Sequence, residues 1–145
     1  MLTLQKTIFF LIFTIFPTKN LRAQDSVKCH LDFKELGICA YVNWPDPPLT
    51  FVANNFELLF YEKETLQPIA LLPKLEITVY NFFEDRWTPS PDIGIPKDTS
   101  HLRYVNNLFF DKPGYWILFI HLITEDKVSK AQIKLHLEDY GIFVF

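Results

Sequence analysis

Glycine is scarce in this sequence, with only 4 glycines among 145 residues. That scarcity excludes a glycine-rich phosphate loop and a glycine-rich dinucleotide-binding fingerprint, because each needs several glycines within a short segment. Two cysteines and four histidines leave no room for a four-cysteine or cysteine–histidine zinc cluster. Methionine occurs once, at Met1. The sequence therefore lacks the motifs of nucleotide-binding enzymes and of structural zinc modules.

Charged residues are also few, at 21%, whereas 49% of the residues are hydrophobic and 17% are aromatic. This composition is too apolar for a disordered chain. The length suffices for one domain with a hydrophobic core but not for two. The net charge is −3 and the chain has no basic stripe. We therefore expect no nucleic-acid partner.

The first 23 residues have the organisation of a secretory signal peptide. Lys6 supplies the positive charge, an apolar run of about ten residues follows it, and Pro17 ends that run. Ala23 is the small residue expected before the cleavage site, which leaves 24–145 as a single mature domain. A retained membrane anchor is the alternative, although the apolar run is well below the roughly 20 residues that span a bilayer.

Removal of residues 1–23 takes away three basic residues and no acidic ones. The mature chain then has 11 basic and 17 acidic residues, a net charge of −6. No other apolar run is long enough for stable membrane insertion. We therefore expect a periplasmic or secreted protein.

The two cysteines, Cys29 and Cys39, are expected to form a disulfide in an oxidising compartment. Strand alternation argues against a simple hairpin disulfide, because it places Cys29 on the inner face and Cys39 on the outer face. Two separate buried thiols are therefore the alternative. No Cys-x-x-Cys motif is present, so a catalytic thiol is not expected.

Alternation of apolar and polar residues recurs along the mature chain and predicts an all-β fold. About seven strands with polar outer faces favour a two-sheet antiparallel β-sandwich. A small outer-membrane barrel is the alternative, since the sequence ends on an aromatic, alternating strand. The longest stretch without a predicted strand is 81–100, and long loops are often functional. The predicted strands are 28–33, 37–44, 56–62, 75–80, 101–110, 115–124 and 131–138, with a short tail strand at 140–145.

The segment 104–116 contains a tyrosine, a strand ending in phenylalanine, the turn Pro113-Gly114 and a tryptophan that opens the next strand. In this pattern the sequence resembles small periplasmic domains of the YtkA-like and FixH-like type. The resemblance implies an exported immunoglobulin-like β-sandwich, in a wider group associated with copper handling and respiratory-oxidase assembly. Such relatives often carry methionines and a His-Gly segment in the loop before this strand. The corresponding loop, 86–94, has neither methionine nor histidine, so those metal ligands do not carry over.

Copper binding with other ligands is the alternative function. Copper favours imidazole, thiolate and thioether ligands, and the mature chain has no thioether. No two histidines have a His-x-His or His-x3-His spacing. His101, at the end of the long loop, is the candidate ligand, together with Asp92 or Asp98. A solvent-exposed loop histidine is the simpler interpretation of His101.

Protein binding is the favoured function. Trp44 and Trp87 lie among proline-rich loops, and tryptophan is enriched at interface hot spots. We expect Trp44, Trp87 and Asp92 to bind an envelope protein through loops at one end of the sandwich. The structural alternative is that both tryptophans cap the ends of the core.

No nucleophile–base pattern is present. The sequence has no Gly-x-Ser-x-Gly motif, and its paired acidic residues are sequence neighbours in loops rather than carboxylates across a cleft. We therefore predict a non-enzymatic binding or accessory module without a cofactor.

Overall fold

The computed structural model describes residues 29–138, which form nine β-strands and one short 3₁₀ turn, Lys34–Leu36. None of these residues belongs to a helix long and apolar enough to cross a membrane. The predicted all-β fold is confirmed. The strands are β1 (Leu31–Phe33), β2 (Ile38–Asn43), β3 (Ala53–Glu62), β4 (Lys74–Asn81), β5 (Arg86–Thr88), β6 (Asp92–Gly94), β7 (Leu102–Phe109), β8 (Gly114–Ile123) and β9 (Val128–Leu137).

The strands form two antiparallel sheets. The five-stranded sheet has the order β1-β2-β3-β7-β6, and the four-stranded sheet has the order β5-β4-β8-β9. Strand β1 lies against β9, which places these two sheet edges together. The architecture is therefore the predicted two-sheet sandwich, with the core between the sheets.

The core follows the predicted alternation. One buried row comes from β8 and consists of Trp116, Leu118, Ile120 and Leu122, as predicted. Phe56, Leu58 and Phe60 of β3 belong to the same hydrophobic cluster. Each such side chain contributes about 1.5–3 kcal/mol when it leaves water. Strand β8 is apolar on its inner face and, apart from His121, carries Tyr115, Ile117, Phe119 and Ile123 on its outer face.

Two strands in the stretch 81–100 were not predicted. Strands β5 and β6 each have three residues and lie at a sheet edge. The three-residue segments beside Pro89, Pro91 and Pro96 show no recognisable alternation, whereas the three residues of β1 belong to the longer alternating run 28–33. The predicted tail strand 140–145 and the predicted signal peptide 1–23 lie outside the described residues.

Cys29 and Cys39 form a disulfide, with 5.6 Å between their Cα atoms, a normal separation. Cys39 is opposite Asp32 and alternates with core residues, so it points away from the core. Strand β1 begins at Leu31 rather than at position 28, so its alternation does not dictate the direction of Cys29. The predicted disulfide is confirmed, and the alternative of two separate thiols is wrong.

Candidate binding surface on the four-stranded sheet

The outer face of the four-stranded sheet carries aromatic side chains at positions where a solvated sheet usually carries polar ones. On β8 the core row alternates with Tyr115, Ile117 and Phe119. Tyr80 of β4 pairs with Ile117, and Trp87 of β5 pairs with Tyr80. Strand pairing therefore brings these side chains from three strands onto one face.

Tyr80, Trp87 and Phe119 contact one another and are called the aromatic triad below. The ring centroids of Tyr80 and Trp87 are 5.0 Å apart, those of Trp87 and Phe119 are 5.5 Å apart, and those of Tyr80 and Phe119 are 6.5 Å apart. These distances are typical of favourable aromatic pairs. Trp87 remains 60% exposed despite both contacts. The triad is thus an ordered apolar surface that faces solvent.

The hydroxyl of Tyr80 donates a hydrogen bond to the carboxylate of Asp85. This hydrogen bond raises the pKa of Tyr80 above its ordinary value of 10.0, because it stabilises the protonated phenol. The bond also fixes the direction of the phenol ring, so the triad presents a neutral, oriented tyrosine.

Ion pairs hold β5 against the turn between β7 and β8. Nη2 of Arg86 donates to both carboxylate oxygens of Asp111, at 2.8 and 2.6 Å, and its Nε donates to Glu84 at 2.8 Å. Lys112 binds the other oxygen of Glu84. Lys112 first and Arg86 second lower the pKa of Glu84. Since Trp87 follows Arg86 in the chain, these contacts hold in place the strand that carries the exposed indole.

A second set of aromatic side chains borders an open groove beside the triad. Tyr115 stacks on His136 of β9 with ring centroids 4.2 Å apart, and the centroid of Phe83 is 5.3 Å from that of Tyr115. Gly114 has φ +124°, and a Cβ there would lie 3.2 Å from the Phe83 ring. Because Gly114 has no side chain, the Phe83 ring can pack against the backbone of Gly114. This aromatic groove has a volume of about 480 Å³ and is lined by Phe82, Phe83, Tyr115, Trp116, Ile117, Lys134, Leu135 and His136.

The structure does not bring Trp44 and Trp87 onto one surface, which corrects the expectation of a shared edge. Trp44 follows β2 in the five-stranded sheet and stacks on Phe56 with ring centroids 4.4 Å apart. It is partly buried against the core and lies beside Ile133 of β9. Strands β9 and β5 are opposite edges of the four-stranded sheet, about 14 Å apart at the usual strand spacing. Trp44 thus fits the core-capping alternative, whereas Trp87 does not.

Asp92 and His101 lie far apart, which corrects the expectation that they meet. Asp92 is exposed in the edge strand β6, pairs with Asn106 and accepts a 2.6 Å hydrogen bond from Asn107. His101 precedes Asn106 by five residues, about 16 Å along an extended strand. The His101 ring lies instead beside Tyr61, with centroids 5.6 Å apart. Within residues 29–138, no three histidine, cysteine or acidic side chains are grouped to hold a metal ion.

A wider concavity of about 940 Å³ lies at the other end of the sandwich, around the 3₁₀ turn and the segment between β3 and β4. Among residues 29–138, its lining includes Lys34, Glu62 and Glu64 but no aromatic side chain. Tryptophan, tyrosine and arginine dominate binding energy at interfaces. The aromatic face of the four-stranded sheet is therefore the better candidate surface.

The sequence interpretation included Trp87 but missed the other members of this surface. The sequence did indicate part of this surface. If the even-numbered residues of β8 face the core, then Tyr115, Ile117 and Phe119 must lie on the outer face of the sheet. The contribution of Phe83 depends on how β4 pairs with β8, which a local pattern does not show.

Comparisons of the chain with protein-family models, with curated proteins and with solved structures found no match.

Proposed function

We propose that the protein is an exported, non-enzymatic binding module that holds an envelope protein against the outer face of its four-stranded sheet. The observation that carries this proposal is the aromatic triad. Its three rings are in mutual contact and Trp87 is mostly exposed. Contiguous exposed apolar surface on a folded protein is typical of an interaction site.

The chemistry around the triad favours a protein partner. Interfaces combine an apolar, aromatic-rich centre with a polar, solvent-accessible rim. Acidic groups border the triad, with Glu76 of β4 at one side and Asp85, which accepts the hydrogen bond of Tyr80, at the other. The partner expected from this arrangement is a protein surface with an apolar centre and basic groups around it.

The proposed compartment rests on two features of the sequence. Residues 1–23 have the organisation of a signal peptide. The disulfide between Cys29 and Cys39 suits an oxidising compartment. The resemblance to domains of the YtkA-like and FixH-like type also favours an exported immunoglobulin-like sandwich. We do not extend the proposal to copper, because His101 and Asp92 do not converge.

Affinity capture with matched variants tests the proposal. The mature chain 24–145 is immobilised as the wild type, as Trp87→Ala and as Phe109→Ala, and each is exposed to a detergent extract of the envelope. Phe109 is the control, because it is 49% exposed on β7 of the other sheet. We expect one protein to be retained by the wild type and Phe109→Ala, and at least ten-fold less of it by Trp87→Ala. Equal retention by all three chains, or none by the wild type, would overturn the proposal.

A further inference from the structure

The carboxylate of Asp85 lies beside the aromatic triad, and no basic side chain in the described part of the chain pairs with it. We propose that an arginine side chain of the partner stacks on the exposed face of Trp87 and places its guanidinium beside this carboxylate. The inference rests on the proposed function, because it takes the triad as the place where the partner binds. It adds the chemistry by which the partner is recognised.

The ion pairs around Asp85 leave it without a cation. Its sequence neighbours Glu84 and Arg86 pair with each other. Arg86 also binds Asp111, and Glu84 also binds Lys112. The neighbouring charges are therefore compensated, whereas the carboxylate of Asp85 is exposed to solvent with its charge uncompensated.

The backbone at Asp85 does not require an acidic side chain. Its φ is +49°, in the left-handed region. Glycine adopts this conformation most readily, and asparagine and aspartate tolerate it. The carboxylate is held at the triad because its Oδ1 accepts the hydrogen bond of the Tyr80 hydroxyl. Its Oδ2 is then an acceptor for a second donor at the edge of the rings.

The triad offers the surface that a guanidinium prefers. Cations are attracted to the faces of aromatic rings, and most strongly to tryptophan. Trp87 is 60% exposed, so much of its indole is open to a ligand. Arginine combines stacking on a ring with a planar set of donors that matches a carboxylate, whereas lysine is a compact, strongly hydrated charge. Trp87 and Asp85 both contact Tyr80, so one arginine side chain can reach both.

The charges on the sheet also favour a basic group at the triad. Lys134 of β9 projects from the same face, but it pairs with Ile117, which pairs with Tyr80. It is therefore two strands from Tyr80, about 10 Å away at the usual strand spacing. Asp85, by contrast, is in direct contact with Tyr80. Complementary charge of this kind gives an interface its specificity.

NMR titration of the purified protein with three small compounds tests the inference. They are the acetylated amides of arginine, of lysine and of citrulline, which has the shape of arginine without its charge. The indole N–H signal of Trp87 is identified as the one that Trp87→Phe lacks. We expect the arginine compound to shift this signal saturably and to bind about five-fold more tightly than the lysine compound. The citrulline compound should cause no saturable shift.

A matched pair of variants makes the result specific to Asp85. Asp85→Asn removes the charge, while the amide oxygen can still accept the hydrogen bond of Tyr80. Asp126→Asn is the control, because it removes the same charge from an exposed turn between β8 and β9. We expect Asp85→Asn to weaken binding of the arginine compound about five-fold and Asp126→Asn to leave it unchanged.

Several outcomes of the titration would overturn the inference. These are equal effects of the two variants, binding of the citrulline or lysine compound as tight as that of the arginine compound, and the absence of any saturable shift of the Trp87 signal.

Capture from the envelope extract separates this inference from the proposed function. We expect Asp85→Asn to retain about five-fold less of the partner than Asp126→Asn does. If the two variants retain it equally while Trp87→Ala loses it, the inference is wrong and the proposed function stands. If the wild type captures no protein although the arginine compound binds at Trp87, the proposed function fails and the recognition of a guanidinium by the triad stands.

Discussion

At the residue scale, Asn54 organises the loop between β2 and β3 although it is polar and buried, with 7% exposure. Its Oδ1 accepts a hydrogen bond from the Leu49 amide at 2.7 Å. Its Nδ2 donates to the carbonyls of Leu49, Val52 and Leu108 at 2.8, 3.0 and 3.2 Å. One side chain thus satisfies loop backbone groups and links them to β7, which an apolar residue of the same size would not do.

We predict that Asn54→Ala lowers the free energy of unfolding by about 2–3 kcal/mol, because buried backbone groups lose their partner. Chemical denaturation measures this change. Asn55→Ala is the matched control, since Asn55 is exposed and its side chain accepts one 3.2 Å hydrogen bond from the Asn107 amide. Equal losses in the two variants would contradict the role assigned to Asn54.

Glu84 should make stability depend on pH. Lys112 and Arg86 lower its pKa from the ordinary value of 4.5. A carboxyl group whose pKa is lower in the folded state stabilises that state above its unfolded pKa and loses this effect as the pH falls through the folded pKa. We therefore expect Glu84→Gln to be less stable than the wild type near pH 7, and we expect this difference to shrink as the pH falls below 4.5. Urea unfolding of both chains at several pH values checks this.

Glu125→Gln is the control for that series, because Glu125 is an exposed carboxylate in the turn between β8 and β9. Its unfolding curve should follow the wild type at every pH. A Glu84→Gln deficit that persists unchanged at pH 3 would show that the charge on Glu84 is not what stabilises the fold.

At the element scale, the long strands were predictable from the sequence, whereas β5 and β6, two of the three strands of three residues, were not. Strand β8 has ten residues, and its pattern identified the buried row from Trp116 to Leu122. Strands β5 and β6 have three residues each, and only their pairing with the neighbouring strands β4 and β7 identifies them as strands. The candidate surface was partly hidden for the same reason, since Trp87 meets Tyr80 only once β5 has formed.

The disulfide also acts at the scale of an element, since it joins the start of the described chain to β2. Closing a loop with a sequence separation of 10 residues stabilises a fold by about 2–3 kcal/mol in the chain-entropy model. We expect the double variant Cys29→Ser, Cys39→Ser to lose about that much in denaturation experiments. A titration of thiols in the unfolded, unreduced wild type should find none. Two reactive thiols there would contradict the disulfide.

At the scale of the whole molecule, the two sheets present different outer surfaces. The five-stranded sheet also exposes aromatic side chains, including Tyr41 and Tyr104, each 39% exposed. Tyr41 packs on His30, with ring centroids 4.3 Å apart. Exposed aromatic residues that occur singly need no functional explanation. The four-stranded sheet differs, because its exposed rings contact one another across three strands.

The central claim is that an envelope protein binds at the aromatic triad, and photo-cross-linking in the cells that make the protein tests it most directly. Benzoylphenylalanine replaces Trp87 in one strain and Phe109 in another, and the cross-linked products are identified after irradiation. The account predicts one envelope protein linked to position 87 and not to position 109. The same product from both positions, or a partner linked only to position 109, would contradict it.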